Sequence, residues 1–251
     1  MELARIAALL EPYLDGELTP SQLDQISTYI DLLLRWNARI NLTAIRNPEE
    51  IVTRHFGESL FLARHLFPPS REERGERTLL SALPSTNQDS SGTMSIQSAQ
   101  NPPAMPAVPY VIDLGSGAGF PALPLKIWAP QIRLRLIESN HKKAAFLREA
   151  ARALTLTDID VIAERAEAVS ARRTAETQAD VVTFRAVEKF DKVLPLALTF
   201  LAPSARLALL ITLAQLPKLK SQPFLTWQTK HIPRSQQMVL AIGQFQKHDT
   251  I

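Results

Sequence analysis

Apolar positions recur with a helical period in the first part of the chain and fall into short strand-like runs after Pro109. Leu23, Ile26, Ile30, Leu33 and Leu34 lie three or four positions apart, which places them on one helix face. Thr19-Pro20-Ser21-Gln22 is a start signal for that helix. Thr19 caps, Pro20 suits the first turn, and Gln22 returns the hydrogen bond of a capping box. Asn47-Pro48-Glu49-Glu50 repeats the signal, and the helix it opens carries Ile51, Phe56, Leu60 and Leu62 and ends near Pro68. After Pro109 the spacing predicts strands over 110–114, 132–137, 159–163, 180–184 and 207–211. Helices over 122–128, 141–154 and 189–201 separate them, and Pro195 is expected to kink the last. Two final strands, 224–230 and 237–242, read as a hairpin-like pair with Pro233 and Arg234 near the turn. Strands alternating with helices imply an α/β fold with a mostly parallel sheet covered on both faces.

Between the two patterns the composition breaks. Residues 71–77 are highly charged, and 81–109 are rich in Ser, Pro, Asn and Gln. Such a stretch buries too little apolar area to offset the entropy of ordering. The expected organisation is an N-terminal helical extension (1–68), a flexible insertion or linker (69–109) and a ligand-binding domain (110–251).

The sharpest chemical signal is Val111-Ile-Asp-Leu-Gly-Ser-Gly-Ala-Gly-Phe-Pro121. Gly115, Gly117 and Gly119 let the backbone leave a strand tightly and approach a ligand, and the helix that follows directs free N–H groups at the same place. Asp113 lies at the C-terminal end of the strand, where open α/β sheets bind ligands. The spacing is G-x-G-x-G. The dinucleotide fingerprint G-x-G-x-x-G would need glycine where Phe120 stands, so the pattern favours a nucleoside cofactor without a pyrophosphate over NAD. Glu138 ends the second strand about 20 residues on, where an acid holds ribose hydroxyls. Its other role would be a helix N-cap or first-turn acid before His141. Asn140 is a candidate cap for the same helix. Lys142 and Lys143 in its first turn oppose the helix dipole, a cost that makes sense if they face RNA phosphate, although surface lysines often have no such role.

Composition narrows the classes. The 251 residues contain no cysteine, which excludes disulfides, thiolate metal sites and a cysteine nucleophile. No run is long and apolar enough to span a membrane, and Glu2, Glu11 and Asp15 are unlike a secretory leader, so a cytoplasmic location without membrane attachment is expected. The histidines are scattered and no acidic cluster has ligand-like spacing, so no metal is expected. The net charge is +3, and bases outnumber acids from Arg185 onward, which suits either a polyanionic partner or a solubilising surface.

Together the motifs resemble the bacterial small-subunit ribosomal RNA methyltransferase G family, also called glucose-inhibited division protein B. The resemblance runs through Leu34-Arg-Trp-Asn-Ala-Arg-Ile-Asn-Leu-Thr43, His55-Phe-Gly-Glu-Ser-Leu60 and Asp113-Leu-Gly-Ser-Gly-Ala-Gly-Phe-Pro121. It continues through Ile137-Glu-Ser-Asn-His-Lys-Lys143, Arg165-Ala-Glu167 and Phe184-Arg-Ala-Val187, in the family's order. It implies a Rossmann-like class I methyltransferase with a seven-stranded sheet. Its cofactor would be S-adenosylmethionine and its acceptor N7 of a guanine in 16S ribosomal RNA of the small subunit. An obligate oligomer is not implied.

By the same resemblance Asp113, Gly115, Gly117 and Gly119 line the methionine side of the cofactor, with Phe120 adjoining. Glu138 holds the ribose, and Ala166 and Glu167 lie by the adenine. Arg185 sits near the methyl donor or substrate. Asn37, Asn41 and Thr43 belong to a motif flanking the cofactor domain, and His55 and Ser59 to one beside the site. The expected substrate contacts are Asn37, Asn41, His55, Lys142, Lys143 and Phe184. Phe184 would pack on a base, or else be an ordinary core residue, and His55 equally suits a packing role. Departures from the family pattern cluster at the fifth strand, where Pro203-Ser-Ala-Arg206 replaces a glycine pair. A class I methyltransferase with another acceptor, or a non-catalytic RNA-binding assembly protein, are the competing readings.

Overall fold

The computed structural model describes residues 1–68, 108–172, 174, 177–185, 190–219 and 225–245. The expected insertion at 69–109 lies outside them except for Val108 and Pro109, as do Ala186 and Val187 of the fourth-strand motif.

The N-terminal part contains α1 (Leu3–Leu10), α2 (Pro20–Asn37), α3 (Pro48–Glu50) and α4 (Glu58–Leu66). Helix α2 begins with the expected box: Gln22 N–H donates to Thr19 Oγ1 at 3.2 Å and Thr19 N–H donates to Gln22 Oε1 at 2.9 Å. The amide nitrogen of Gln22 then donates to the Ile127 carbonyl at 3.0 Å, so one side chain both starts α2 and docks it. The helix opened by Asn47 is not uniform. Between α3 and α4 it widens into a π-helical stretch, Ile51–Gly57, a form that recurs at functional sites.

Among the described residues seven strands form one sheet, ordered β3-β2-β1-β4-β5-β7-β6. They are β1 (Tyr110–Leu114), β2 (Arg133–Ile137), β3 (Ile159–Ile162), β4 (Ala179–Arg185), β5 (Leu201–Thr212), β6 (Leu225–His231) and β7 (Met238–Phe245). The pairings of β1 to β5 are parallel, and β7 runs antiparallel between β5 and β6. This is the mostly parallel α/β sheet expected from the alternating pattern, with the seven strands and Rossmann-like order that the resemblance implied.

Helices α5 (Ala122–Trp128), α6 (His141–Ala153), α7 (Ala166–Ser170) and α8 (Phe190–Leu198) connect the strands, and α9 (Leu216–Leu219) follows β5. The fifth strand begins earlier than the apolar run 207–211 suggests. Its register with β4 is irregular between Leu201 and Arg206, where Pro203 has no N–H to pair and Ser204 adopts a positive φ of 66°. The final pair is the expected hairpin, with Arg234 at its turn.

Alternate strand positions sort into two apolar layers. Val111, Leu134, Leu136, Val181, Ala208 and Leu210 face a core shared with α2, α4, α5 and α6. Ile112, Leu114, Val182, Phe184, Leu207 and Leu209 face a second core with Phe190, Leu194 and Ala197 of α8. The period of two places Asp113, Thr183 and Arg185 with the first set, toward the N-terminal helices.

Candidate cofactor and acceptor site

The glycine turn follows β1 directly. Gly115, Gly117 and Gly119 have φ of 66°, 57° and 84°, in the left-handed region that side chains disfavour. At Gly119 space is short as well. A Cβ there would lie 2.7 Å from Leu123 Cδ1 and would run into the Tyr29 hydroxyl. The turn is latched to the end of β2, where the N–H groups of Gly115 and Ser116 donate to the Ile137 carbonyl at 2.8 and 3.2 Å.

Glu138 faces this turn. Its Oε2 accepts from Gly117 N–H at 2.9 Å and its Oε1 from Asn140 N–H at 2.7 Å. The cap of α6 is Asn140, whose Oδ1 accepts from the N–H groups of Lys142 and Lys143 at 2.9 and 3.2 Å. Capping is thus supplied elsewhere, and the Glu138 carboxylate bridges the two loops that follow β1 and β2. Beside them lies a cavity of about 210 Å³ lined by Gly115, Ile137, Ser139, Ala166, Glu167 and Leu196, among others. It gathers three of the expected cofactor residues, including the two from α7.

Asp113 is fully buried under the turn. Its Oδ1 accepts from Thr183 Oγ1–H at 2.6 Å, while Oδ2 is buried with no partner. Burial pushes its carboxyl up to about 7, against the opposing hydrogen bonds from Thr183 and Ser116. A buried acceptor left unpaired is costly unless a ligand completes it, so the site fits a group that brings a donor there.

Arg185 leaves the C-terminal end of β4 and reaches the N-terminal helices. Its Nη2 donates to Glu58 Oε2 at 2.7 Å and to the Arg54 carbonyl at 2.9 Å, and its Nη1 is buried without a partner. Burial raises the Glu58 carboxyl pKa and Arg185 opposes the rise. Next to this pair His55 Nε2 hydrogen-bonds Thr43 Oγ1 at 2.7 Å, and its Nδ1 is buried and unpartnered. Burial, with the charges of Arg185 and Arg54, drives the imidazole pKa down to about 3 and holds it neutral. Ser59 Oγ–H donates to the His55 carbonyl at 2.6 Å.

Three expected contacts are corrected. Phe184 is fully buried on the opposite face of the sheet, its ring 5.8 Å from that of Phe190, because it alternates with Thr183 and Arg185. It is the core residue and does not reach a base. Phe120 is stacked against Tyr29 (5.3 Å between centroids, 6° between planes) and against His55 (4.7 Å, 24°), so its ring wedges the helical extension onto the glycine turn rather than lining the cavity. Asn37 spends its side chain on its own loop. Its Oδ1 accepts from the N–H groups of Leu42 and Thr43 at 2.9 and 3.1 Å and its Nδ2 donates to the Thr43 carbonyl at 2.9 Å. It positions Thr43, and through it His55. Asn41, Lys142 and, in part, Lys143 remain open to solvent.

Glu58, Tyr29 and Thr183 were not singled out by sequence pattern. Tyr29 sits on the buried face of α2 and donates its hydroxyl to the Ala118 carbonyl at 2.5 Å, inside the glycine turn. For Glu58 a signal existed: it is a lone acid among the apolar residues from Phe56 to Leu62, and a buried acid needs a cation.

The model of the family described as rRNA small subunit methyltransferase G (GidB) matches residues 22–71 and 93–240. Curated relatives carry the name "Ribosomal RNA small subunit methyltransferase G". That of Chloroflexus aggregans is 37% identical over 190 residues, covering 76% of this chain and 64% of that protein. That of Roseiflexus sp. (strain RS-1) is 40% identical over 168 residues, covering 66% and 55%. That of Streptococcus agalactiae serotype V is 32% identical over 190 residues, covering 76% and 65%. The chain spans a little under two thirds of the length of these relatives. With the family's model matching well over half of the chain, on both sides of the glycine turn, the chain belongs to the rRNA small subunit methyltransferase G family.

Proposed function

We propose that this chain transfers a methyl group from S-adenosylmethionine to N7 of a guanine in 16S ribosomal RNA of the small subunit. The observation that carries the reading is Glu138. It is turned onto the glycine turn, beside a cavity whose wall includes Gly115, Ala166 and Glu167. In this reading Glu138 holds the ribose of the cofactor and Ala166 and Glu167 flank its adenine. Asp113 Oδ2, buried and unpaired, supplies an acceptor on the methionine side. The cofactor supplies an electrophilic methyl group on a sulfonium.

Guanine N7 carries a free lone pair and no proton, so the acceptor needs no general base. The work left to the protein is alignment and exclusion of water. That matches His55, which is kept neutral by burial and serves packing against Phe120 rather than proton transfer. Arg185, held on two sides through Nη2, keeps Nη1 to orient the acceptor or the cofactor carboxylate. The exposed Lys142 and the partly exposed Lys143 suit RNA phosphates. No helix among the described residues is long and apolar enough to cross a membrane. In this reading the protein acts on ribosomal particles in the cytoplasm.

The test is incubation with labelled S-adenosylmethionine and 30S particles from a strain lacking the modification, followed by mapping of the labelled nucleotide. Label on N7 of a single 16S guanine is expected. Label on another atom or another RNA, or none with cofactor bound, overturns the reading.

A further inference from the structure

Two stretches of chain that lack acids meet where the helical extension packs on the cofactor domain. Residues 32–48 carry Arg35, Arg39 and Arg46, and residues 139–148 carry Lys142, Lys143 and Arg148, with no Asp or Glu in either. Helices α2 and α6 bring them together by running antiparallel. Near one end the Gln25 side-chain amide donates to the Leu154 carbonyl at 2.9 Å. Toward the other end the Trp36 ring centroid lies 5.7 Å from that of Phe146. One turn further on, Arg39 comes level with Lys142 and Lys143, which precede Phe146 by four and three positions and so share its side of α6.

Among the described residues Arg35, Arg39, Arg46, Lys142 and Lys143 form no ion pair. Arg5 and Arg54, also exposed, are by contrast paired with Glu49 and Glu50 of α3. Lys143 is partly exposed, the other four cations and Asn41 are exposed, and the half-buried Trp36 lies among them. Uncompensated cations around an aromatic ring suit a polyanion that carries bases able to stack. A surface that only keeps the chain soluble intersperses both signs.

The loop 38–46 is also tied inward. Thr43 Oγ1 and His55 Nε2 share a hydrogen bond of 2.7 Å, and Thr43 Oγ1 accepts from Ile45 N–H at 3.1 Å. The His55 ring stacks on Phe120, 4.7 Å between centroids, and Phe120 follows Gly119 in the glycine turn. The loop thus carries Arg39, Asn41 and Arg46 outward and, through Thr43, grips the residue that wedges the turn.

We propose that RNA phosphates seat on this acid-free strip and that the Thr43–His55–Phe120 contact links the seat to the glycine turn, so that RNA and cofactor each tighten the binding of the other. Such tightening is reciprocal by thermodynamic necessity. The seat rests on the RNA reading above and deepens it, adding a docking surface and a control on cofactor affinity.

Titration of the chain with S-adenosylhomocysteine, alone and with saturating 16S rRNA transcript, tests the link without methyl transfer. The transcript is expected to tighten S-adenosylhomocysteine about fivefold or more. Thr43→Val keeps the β-branched shape and removes the hydroxyl. It is expected to cut the enhancement below about twofold while leaving the affinity measured without RNA within about twofold of the parent. Thr43→Ser returns the hydroxyl and the enhancement. A merely structural role for Thr43 would weaken both affinities together and leave their ratio unchanged. The double variant Arg39→Gln, Arg46→Gln addresses the seat. It is expected to weaken transcript binding about tenfold and to flatten the log–log salt dependence by about 0.7–0.9 per lost phosphate contact, with S-adenosylhomocysteine binding unchanged in the absence of RNA.

An S-adenosylhomocysteine affinity that RNA does not change, an enhancement that survives Thr43→Val, or a salt slope indifferent to the double arginine change overturns the linked seat. Methylation of 30S particles by the parent chain is measured in parallel. Label on guanine N7 without mutual tightening removes the linked seat alone, and mutual tightening without that label removes the proposed function alone.

Discussion

Alanine at Gly119 carries two costs where alanine at Gly117 carries one, and the difference between them measures how tightly the helical extension is pressed on the glycine turn. Both positions have positive φ, 84° and 57°, and a Cβ in that region costs roughly 1–2 kcal/mol. At Gly117 the nearest atom to an added Cβ is the Gly115 carbonyl oxygen at 3.7 Å, an ordinary contact, so the backbone cost is the whole effect. At Gly119 the Cβ meets Leu123 Cδ1 at 2.7 Å and the Tyr29 hydroxyl. Both residues are fully buried, so neither moves away without displacing others. Overpacking of this kind adds about 1–3 kcal/mol. Gly119→Ala is therefore expected to destabilise by about 2–5 kcal/mol and Gly117→Ala by about 1–2 kcal/mol. Urea denaturation of the two variants beside the parent reads the difference directly. Each kcal/mol corresponds to roughly 2–4 °C in Tm for a chain of this size, so thermal melting gives a second reading. If Gly117→Ala destabilises as much as Gly119→Ala, the contact of Tyr29 and Leu123 with the turn is not what limits position 119.

Tyr29→Phe leaves the Ala118 carbonyl without its donor and should cost about 1–2 kcal/mol in denaturant, with weaker S-adenosylhomocysteine binding because the turn loses its brace; unchanged stability refutes the brace. His55, lowered by burial from 6.5 to about 3, takes up protons in the unfolded chain before the folded one. Its contribution is complete above pH 6.5 and is lost progressively as pH falls toward 3, so His55→Gln should flatten the stability profile across that window. Asp113 has the opposite sign: raised from 3.8 to about 7, its contribution is complete below pH 3.8 and is lost as pH rises through 7. Asp113→Asn should accordingly be more stable than the parent at pH 8 while binding S-adenosylhomocysteine less well, and a less stable variant at pH 8 refutes the buried charge. Arg185→Ala strands the Glu58 carboxylate and should destabilise by about 3 kcal/mol, with methyl transfer to 30S particles falling by at least about a hundredfold; near-normal turnover removes Arg185 from the reaction.

Much of this architecture was legible because it is written in local chemistry. The capping box at Thr19 and Gln22, the asparagine caps at Asn47 and Asn140, and the apolar runs that became β1 to β4 depend on neighbours within a few positions. Side-chain backbone bonds and burial period act at that range. The glycine turn was legible for the same reason, since positive φ at three alternate residues is a demand that glycine meets. Where local signals conflict, prediction slipped: β5 starts at Leu201 rather than 207 because tertiary pairing with Ala179 carries the strand past Pro203 and Ser204.

By itself the sequence determined the order of elements, the place of the turn and the presence of an acid after the second strand. Only the tertiary structure decided which of two alternating residues at the end of β4 faces the site. Arg185 points to the N-terminal helices and Phe184 into the opposite core, a parity set by what packs on each face of the sheet. It also decided that Arg185 meets Glu58, 127 positions away, and that Tyr13 and Arg234 share a cavity. A buried charge requires a partner, but a one-dimensional pattern does not say which distant residue folding will bring to it.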